Sequence, residues 1–419
     1  MEASPTLEAA APQSRPQAVR DVLDVSVVIP CLNEVESVAE CVRQARAGME
    51  KAGYEGEVVV VDNGSTDGSA AAAREAGARV VDESRRGYGS AYRAGFAAAR
   101  GRFVVMGDAD LTYDFSDLPR FLEQLEEGAD LVVGSRLKGR MDPGAMPWLH
   151  RVIGNPVLTA ILNLFFRTGL SDTHCGMRAF RREHLDRMAF RTTGMEFASE
   201  QIIRAAKLGL EMKELPIHYR HRAGRSKLSS FEDGWRHLRL LLAHSPRFAF
   251  IVPGAVLLAL GVLSGLLILS GFEVLGRQWQ AHSLAGAAML TIAGSQVVQI
   301  GLFARLFTAR YMGEQDPALA EPRVERGLIA GSVLLAVGVV LCGVVVGRWL
   351  GTGLGPLHDE KLAITGMTVF TLGIQTFFGA LFMSVLALGG RSAGRAWVPR
   401  RESRKTALGQ LPVAPEESH

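Results

Sequence analysis

Four stretches of this chain contain no Asp, Glu, Lys, Arg or His: Phe248 to Ser270, Ser283 to Ala304, Leu328 to Val346 and Leu362 to Leu388. About 20 apolar residues in a helix, at roughly 1.5 Å each, cover the hydrocarbon core of a bilayer, and each stretch is near that length or beyond it. Buried helices of soluble domains rarely stay uncharged for so long. In lipid no water satisfies backbone N–H and C=O groups, so each stretch must close its hydrogen bonds within itself as an α-helix. The second half of the chain is thereby predicted to be a four-helix transmembrane domain, 248–390.

Four crossings place both ends of this domain on one side of the membrane, and basic residues choose the side. Arg305, Arg310, Arg323 and Arg326 lie between the second and third stretches, and Arg391, Arg395, Arg400, Arg401, Arg404 and Lys405 follow the fourth. The other two loops hold only Arg277, and Arg348 with Lys361. Cation-rich loops stay inside. The expected localisation is a multi-pass cell (inner) membrane protein with its N-terminal domain and both termini cytosolic. The first twenty residues, rich in Ala, Pro, Ser and Gln, lack the apolar core of a signal peptide and read as a disordered tail, 1–20.

A formal net charge of +3 on 419 residues excludes a general polyanion binder, so no nucleic-acid partner is expected. Cys31, Cys41, Cys175 and Cys342 show neither paired spacing nor disulfide density, which suits a reducing compartment and disfavours structural zinc. Between the halves, Trp235, Leu238, Leu241 and Leu242 recur at helical spacing among Arg236, His237 and Arg239. This segment, 231–247, is read as a juxtamembrane amphipathic helix; the pattern equally fits a helix packed on its own domain. Gln296, Gln299 and Gln375 within the apolar stretches are assigned to helix packing rather than to a polar pathway.

The segment 21–230 alternates short apolar strands with helices. Val25 to Ile29, Val58 to Val61, Arg79 to Val81, Phe103 to Met106 and Leu131 to Val133 read as strands. Helical spacing is found in Glu36 to Lys51, in an Ala-rich stretch after Gly68, in Gly89 to Ala99 and in Leu118 to Leu125. The expected fold class is α/β: a Rossmann-like, mainly parallel sheet covered on both faces, with ligands at the carboxyl ends of its strands. Three of the loops there carry acids: Asn33-Glu34, Asp62 with Asp67, and Asp108-Ala109-Asp110. Two carboxylates emerging together from one strand repel unless a cation joins them, and a divalent ion holding a substrate diphosphate meets that need. Gly87-Tyr88-Gly89 lacks a third glycine and reads as a tight turn before a helix, not a dinucleotide loop. His174 beside Cys175 has no second pair at ligand spacing and is assigned to packing or substrate contact.

Pro30-Cys31-Leu32-Asn33-Glu34, Val61-Asp62-Asn63-Gly64-Ser65-Thr66-Asp67 and Gly107-Asp108-Ala109-Asp110 resemble, in order and spacing, the family 2 glycosyltransferases of GT-A fold. Within them the likeness is to polyprenyl- and dolichyl-phosphate glucosyl- and mannosyltransferases, over roughly Val25 to Ser245. The resemblance implies that Pro30, Asn33, Glu34, Asp62, Asp67 and Asp108 border the nucleotide. It further implies that Asp108, Asp110 and Arg136 are catalytic, that Asp108 and Asp110 hold Mg²⁺ or Mn²⁺, and that Arg136 and Arg151 face phosphate. His221-Arg222-Ala223-Gly224-Arg225-Ser226-Lys227 resembles the family's R-x-x-G-x-S-K stretch with the arginine displaced by one, which makes Arg222 and Lys227 candidates for the acceptor phosphate. Leu32 and Thr112 depart from common family choices at the base and after the acidic pair. Cys175-Gly176-Met177-Arg178-Ala179-Phe180 also resembles a family segment, with Asp172 before it, and Glu200 is a second candidate sugar contact, whereas Glu196 is assigned to a solvated face.

The implied reaction is inverting transfer of one hexose from a nucleotide-diphosphate sugar, with UDP-glucose favoured over GDP-mannose, to polyprenyl phosphate. A basic 391–419 tail completes the organisation, and a homo-oligomer stays open. A processive polysaccharide synthase shares fold and membrane domain, but its Q-x-x-R-W motif is reduced to Gln201-Ile202-Ile203-Arg204-Ala205. A non-catalytic scaffold is the remaining alternative, opposed by the intact acidic loops.

Overall fold

The computed structural model describes residues 23–224, 230–273, 279–311, 324–354 and 359–393. Two compact units meet between Ser245 and Pro246. The first unit alternates β1 (Val25–Cys31), α1 (Val38–Lys51), β2 (Gly56–Asp62), α2 (Ser69–Glu75), β3 (Arg79–Asp82), α3 (Tyr88–Ala98) and β4 (Phe103–Met106). It continues with α4 (Leu118–Glu126), β5 (Leu131–Met141), α5 (Asn155–Phe166), β6 (Arg178–Arg181), α6 (Leu185–Met188), α7 (Phe197–Lys207), β7 (Met212–Tyr219) and α8 (Ser230–His244).

The seven strands form one sheet in the order β3-β2-β1-β4-β6-β5-β7. β1 pairs in parallel with β2 and β4, β2 with β3, and β5 with β7. Only β6 runs against its neighbours β4 and β5. The expected strands are thus all present. β6 and β7 were not anticipated because Arg178-Ala179-Phe180-Arg181 is too short and too charged to show a strand pattern, and β7 contains Pro216.

Continuous burial explains the apolar strands. Val27, Val28, Ile29, Val59, Val60, Val61 and all of β4 are covered on both faces, as a sheet between two helix layers requires. On one face α4 inserts Leu118, Phe121, Leu122 and Leu125, all inaccessible to solvent. Each such side chain contributes roughly 1.5–3 kcal/mol relative to exposure. The other face carries an aromatic cluster in which Phe96 lies 5.7 Å from Phe180 and 6.1 Å from Phe197, centroid to centroid.

β1 connects outward to β2 on one side, while β4 lies on its other side. Between β1 and β4 the connections part in opposite directions, opening a crevice at the strands' carboxyl ends. Helix α8 does not stand apart: His237, Leu240 and Leu241 are buried against the first unit, and Trp235 stays exposed. Of the two sequence readings of 231–247, packing on its own domain is the one observed.

The second unit holds α9 (Val252–Leu269), preceded by a π-helical turn Arg247–Ile251, then α10 (Ala281–Tyr311), α11 (Val324–Gly351) and α12 (Glu360–Ala393). Among the described residues, four helices here are long and apolar enough to cross a membrane. Glycines set their close approach: a Cβ on Gly254 would lie 2.7 Å from the Val298 amide of α10, and one on Gly338 2.5 Å from the Phe370 backbone of α12. Gln299 bonds Ser295 within α10 at 3.3 Å, and a Cβ on Gly379 of α12 would lie 2.5 Å from its side-chain oxygen. That contact agrees with a packing role for this glutamine.

Candidate active site

The loops after β1 and β2 are laced together. Asn33 adopts φ 51°, a left-handed conformation that asparagine tolerates better than most residues. Its side-chain oxygen accepts from the Thr66 amide at 2.8 Å, and the Ser65 hydroxyl accepts from the Asn33 amide at 3.0 Å. Asp67 accepts from the Val35 amide at 3.1 Å and the Ser69 amide at 3.0 Å, and the Ser69 hydroxyl accepts from the Glu34 amide at 2.8 Å. Asn33 and Asp67 therefore hold the loops in register, and Glu34 and Asp62 are the half-buried acids of the two loops. Pro30, next to last in β1, is also half-buried.

From β4 the chain passes through Gly107 into Asp108 and Asp110. A Cβ on Gly107 would meet the Phe115 ring at 2.7 Å, so the turn that delivers these acids needs glycine. Leu111 takes φ 63°, which folds the backbone back and lets the Thr112 amide and hydroxyl donate to Asp110 Oδ1 at 3.1 and 2.6 Å. Thr112 thus orients the second acid. Tyr92, inaccessible to solvent, donates to Asp108 Oδ1 at 3.2 Å. Gly176 leaves room on the other side, where a Cβ would come within 3.0 Å of both Asp108 Oδ2 and the Tyr113 hydroxyl.

Arg222 reaches this corner. Its Nη2 donates to Glu34 Oε1 at 3.0 Å, and Nη1 lies 3.5 Å from Asp110 Oδ2. The Ala223 amide donates to the Asp110 carbonyl at 2.9 Å, anchoring the basic stretch against the acidic one. The sequence reading set Arg222 at an acceptor phosphate; here it bridges the acids of two loops. Lys227 lies outside the described residues. Arg151 is exposed on a π-helical turn, His150–Gly154, that leads into α5.

Four residues stand otherwise than the sequence suggests. Arg136 does not face solvent: its Nε and Nη2 donate to the two oxygens of Asp172 at 2.7 and 2.8 Å, and its amide donates to Asp172 at 3.1 Å. Asp172 is wholly buried, so neither member is presented to phosphate or sugar. Burial by itself would raise the Asp172 pKa, but the Arg136 charge and hydrogen bonds outweigh it and hold the carboxyl below its usual range. Glu200 is also buried. Its carboxylate accepts from the Arg191 and Thr192 amides and the Thr192 hydroxyl, the last at 2.6 Å, and lies 3.6 Å from Arg204. It fixes the loop before α7 instead of meeting sugar. Glu196 is half-buried at the N-cap of α7, accepting from the Gly194 amide at 3.3 Å, and not on a solvated face.

Two tyrosines beside the site left no sequence signal. Tyr92 and Tyr113 come from separate segments, and the Tyr113 hydroxyl accepts from the Gly176 amide at 2.8 Å. Arg178 is inaccessible to solvent and donates to the Cys175, Thr173 and Ala198 carbonyls and to Gln201 Oε1 at 2.6–2.8 Å, which gives the segment Cys175 to Phe180 its role as a brace. His174 Nε2 and His237 Nδ1 bond the Ser199 hydroxyl at 3.0 and 2.8 Å, tying α8 to the segment that carries Asp172. Burial holds the His237 pKa down to about 4, and His174 is lowered by burial and by His237. Gly87, at φ 135°, caps α3 where the sequence places a tight turn.

Burial and the neighbouring Asp110 push the Asp108 pKa up to about 7. A folded-state pKa above the unfolded value makes proton release unfavourable in the native protein, so this contribution to stability is lost as pH rises from about 4 through 7. The hard oxygens of the two acids, one of them reluctant to ionise, fit a divalent cation. Among the described residues no three His, Cys, Asp or Glu side chains converge as a fuller ligand set. An ion held by Asp108 and Asp110 would complete its shell with substrate oxygens and water. Mn²⁺ binding is therefore expected to weaken as pH falls through about 7, because the proton competes for Asp108. Titration of the full chain with Mn²⁺ by electron paramagnetic resonance at pH 6 and pH 8 checks this; equal affinity would refute it.

Comparison with known proteins agrees with this geometry. The description "Glycosyl transferase family 2" matches residues 26–188, and "Glycosyltransferase family 2 C-terminal transmembrane region" matches 317–387. The low-salt glycan biosynthesis hexosyltransferase Agl6 of Haloferax volcanii is 41% identical over 367 residues, covering 86% of this chain and 89% of its own. A dolichyl-phosphate hexose transferase of the same organism is 35% identical over 50% of this chain and 89% of its own. The undecaprenyl-phosphate 4-deoxy-4-formamido-L-arabinose transferase of Enterobacter sp. (strain 638) is 30% identical over 75% of this chain and 97% of its own. Acidic loops gathered at the β1–β4 crevice, four apolar helices later in the sequence among the described residues, and relatives matched along nearly their whole length lead to one conclusion: the chain is a membrane glycosyltransferase that belongs to family 2.

Proposed function

We propose that the chain transfers one hexose, with inversion, from a nucleotide-diphosphate sugar to a polyprenyl phosphate at the cytosolic membrane face, with UDP-glucose as the favoured donor. The observation that carries this reading is the meeting of Glu34, Asp108, Asp110 and Arg222 at one crevice in a chain whose described residues include four helices long and apolar enough to cross a membrane. The named activities of the dolichyl- and undecaprenyl-phosphate relatives support a lipid-phosphate acceptor. The arginine-rich loops and tail support a cytosolic site.

A phosphate monoester with its second pKa near 6 is mostly dianionic at neutral pH and needs no general base. One of its oxygens forms the bond to the anomeric carbon while the bond to the nucleotide diphosphate breaks, and the electron pair leaves on the diphosphate. A divalent cation, when bound, supplies charge stabilisation to that leaving group. Asp108 and Asp110 would hold the ion, with Tyr92 and Thr112 fixing the two carboxylates. Glu34 and Asp62 would border the nucleotide. Arg222, with Arg151 and Lys227, would position the acceptor and offset repulsion between the two anions.

Membranes carrying the chain, incubated with a short-chain polyprenyl phosphate and a panel of nucleotide sugars, should yield one hexose per lipid by mass, β-linked from an α-linked donor. Polymer formed from nucleotide sugar alone, or an α-linked product, would overturn the reading.

A further inference from the structure

The glutamines of the apolar stretches differ in their surroundings. Gln299 bonds Ser295 and lies against Gly379. Gln296, near the midpoint of the Ala281–Arg310 span, is exposed, and among the described residues nothing hydrogen-bonds its side chain. In hydrocarbon no water replaces a missing partner, so an unmet amide at that depth is costly. Its neighbours on the surface of α10 form a seam. Gly286, Met289, Ala293, Gln296 and Ile300 are all exposed, at spacings of three, four, three and four residues. That is the alternation by which two helices of a left-handed pair interlock. The opposite face of α10 is taken up: Ala287, Thr291 and Gly294 are buried, and a Cβ on Gly294 would run into the Leu258 backbone of α9. Gly286 looks on open space, with nothing within 4 Å of a Cβ built there.

We propose that this seam of α10 pairs with the same seam of a second copy of the chain, and that the two Gln296 side chains hydrogen-bond across the pair. Self-complementarity argues for a second copy as the occupant. A carboxamide offers both an N–H donor and a C=O acceptor, so two of them facing each other close two bonds, each supplying what the other lacks. Copies inserted in the same sense and related by a twofold axis along the membrane normal carry Gln296 at one depth, where the two amides meet. Gly286 and Ala293 are the smallest residues of the seam, and small residues let two membrane helices approach closely. A single polar residue at such a position also fixes the register of the pair.

The test uses the full chain in cell membranes on a Cys342→Ser background, since Cys31, Cys41 and Cys175 are buried. Ala293→Cys and Ile300→Cys probe the seam, and Val340→Cys, exposed on α11, is the control. Oxidation with copper phenanthroline should give a disulfide-linked dimer from the first two and not from the third. In liposomes of increasing lipid-to-protein ratio, followed by fluorescence energy transfer between labelled chains, Gln296→Leu should self-associate about tenfold more weakly than the unchanged chain. Gln296→Asn, which keeps the amide, should lose less. Helicity by circular dichroism should stay the same in both, because the side chain is exposed. Equal cross-linking at 293 and 340, or unchanged self-association in Gln296→Leu, would overturn the proposal. So would a chain that stays monomeric at every dilution, which would leave the seam to lipid or to a different protein.

Discussion

Asp110→Ala is expected to lower sugar transfer by a factor of about 10²–10³, the range seen when one preorganised electrostatic contact to a developing charge is removed. Asp110 is anchored by Thr112 on one oxygen and approached by Arg222 on the other, so its loss would remove one proposed ion ligand and one of the two carboxylates that hold Arg222. Radiolabelled donor and added polyprenyl phosphate give the rate, and Mn²⁺ affinity on the same preparation should fall with it. Unchanged transfer in Asp110→Ala with chelator present would remove the cation from the proposed mechanism. Asp108→Asn is the useful companion, because it keeps an oxygen acceptor for Tyr92 while removing the charge that Asp110 repels.

The second large effect concerns stability. Asp172→Ala leaves the Arg136 guanidinium buried without its carboxylate, and breaking a buried pair by removing one partner costs about 3–5 kcal/mol. In a unit of this size that corresponds to a fall of roughly 10 °C in unfolding temperature. Calorimetry or intrinsic fluorescence on the detergent-solubilised chain reads it. If Asp172 met sugar, as the sequence suggested, the variant would keep its unfolding temperature and change donor preference, an outcome opposite to the one expected here. Replacing both partners by apolar residues should cost less than the single change, since no charge is then stranded.

Both predictions depend on where the sequence was a sufficient guide and where it was not. Strand and helix positions through β5 were legible because they rest on local periodicity, and the membrane helices because they rest on uninterrupted apolar length. The acids of the strand-following loops were legible for a related reason. Parallel strands deliver their carboxyl-end loops to one edge, so Glu34, Asp62, Asp108 and Asp110 had to lie near one another whatever the details.

Charged residues outside those loops were not legible, because a charge in sequence does not say whether it meets a ligand or another part of the chain. Arg136 and Asp172 are thirty-six residues apart and become partners only when the segment before β6 returns beside β5. Glu200 meets the Arg191 and Thr192 amides, and Arg178 meets three carbonyls, through contacts that exist only once α7 has packed. Tyr92 reaches Asp108 from α3, a neighbour in space and not in motif. The amphipathic pattern of α8 matched two environments, and packing chose the protein interior for Leu240 and Leu241. The sequence alone therefore determined the elements through β5, the membrane half and the acidic edge, each set by local pattern or by sheet topology. The tertiary structure decided which charges are partnered, since desolvation penalises any buried charge that does not find its opposite.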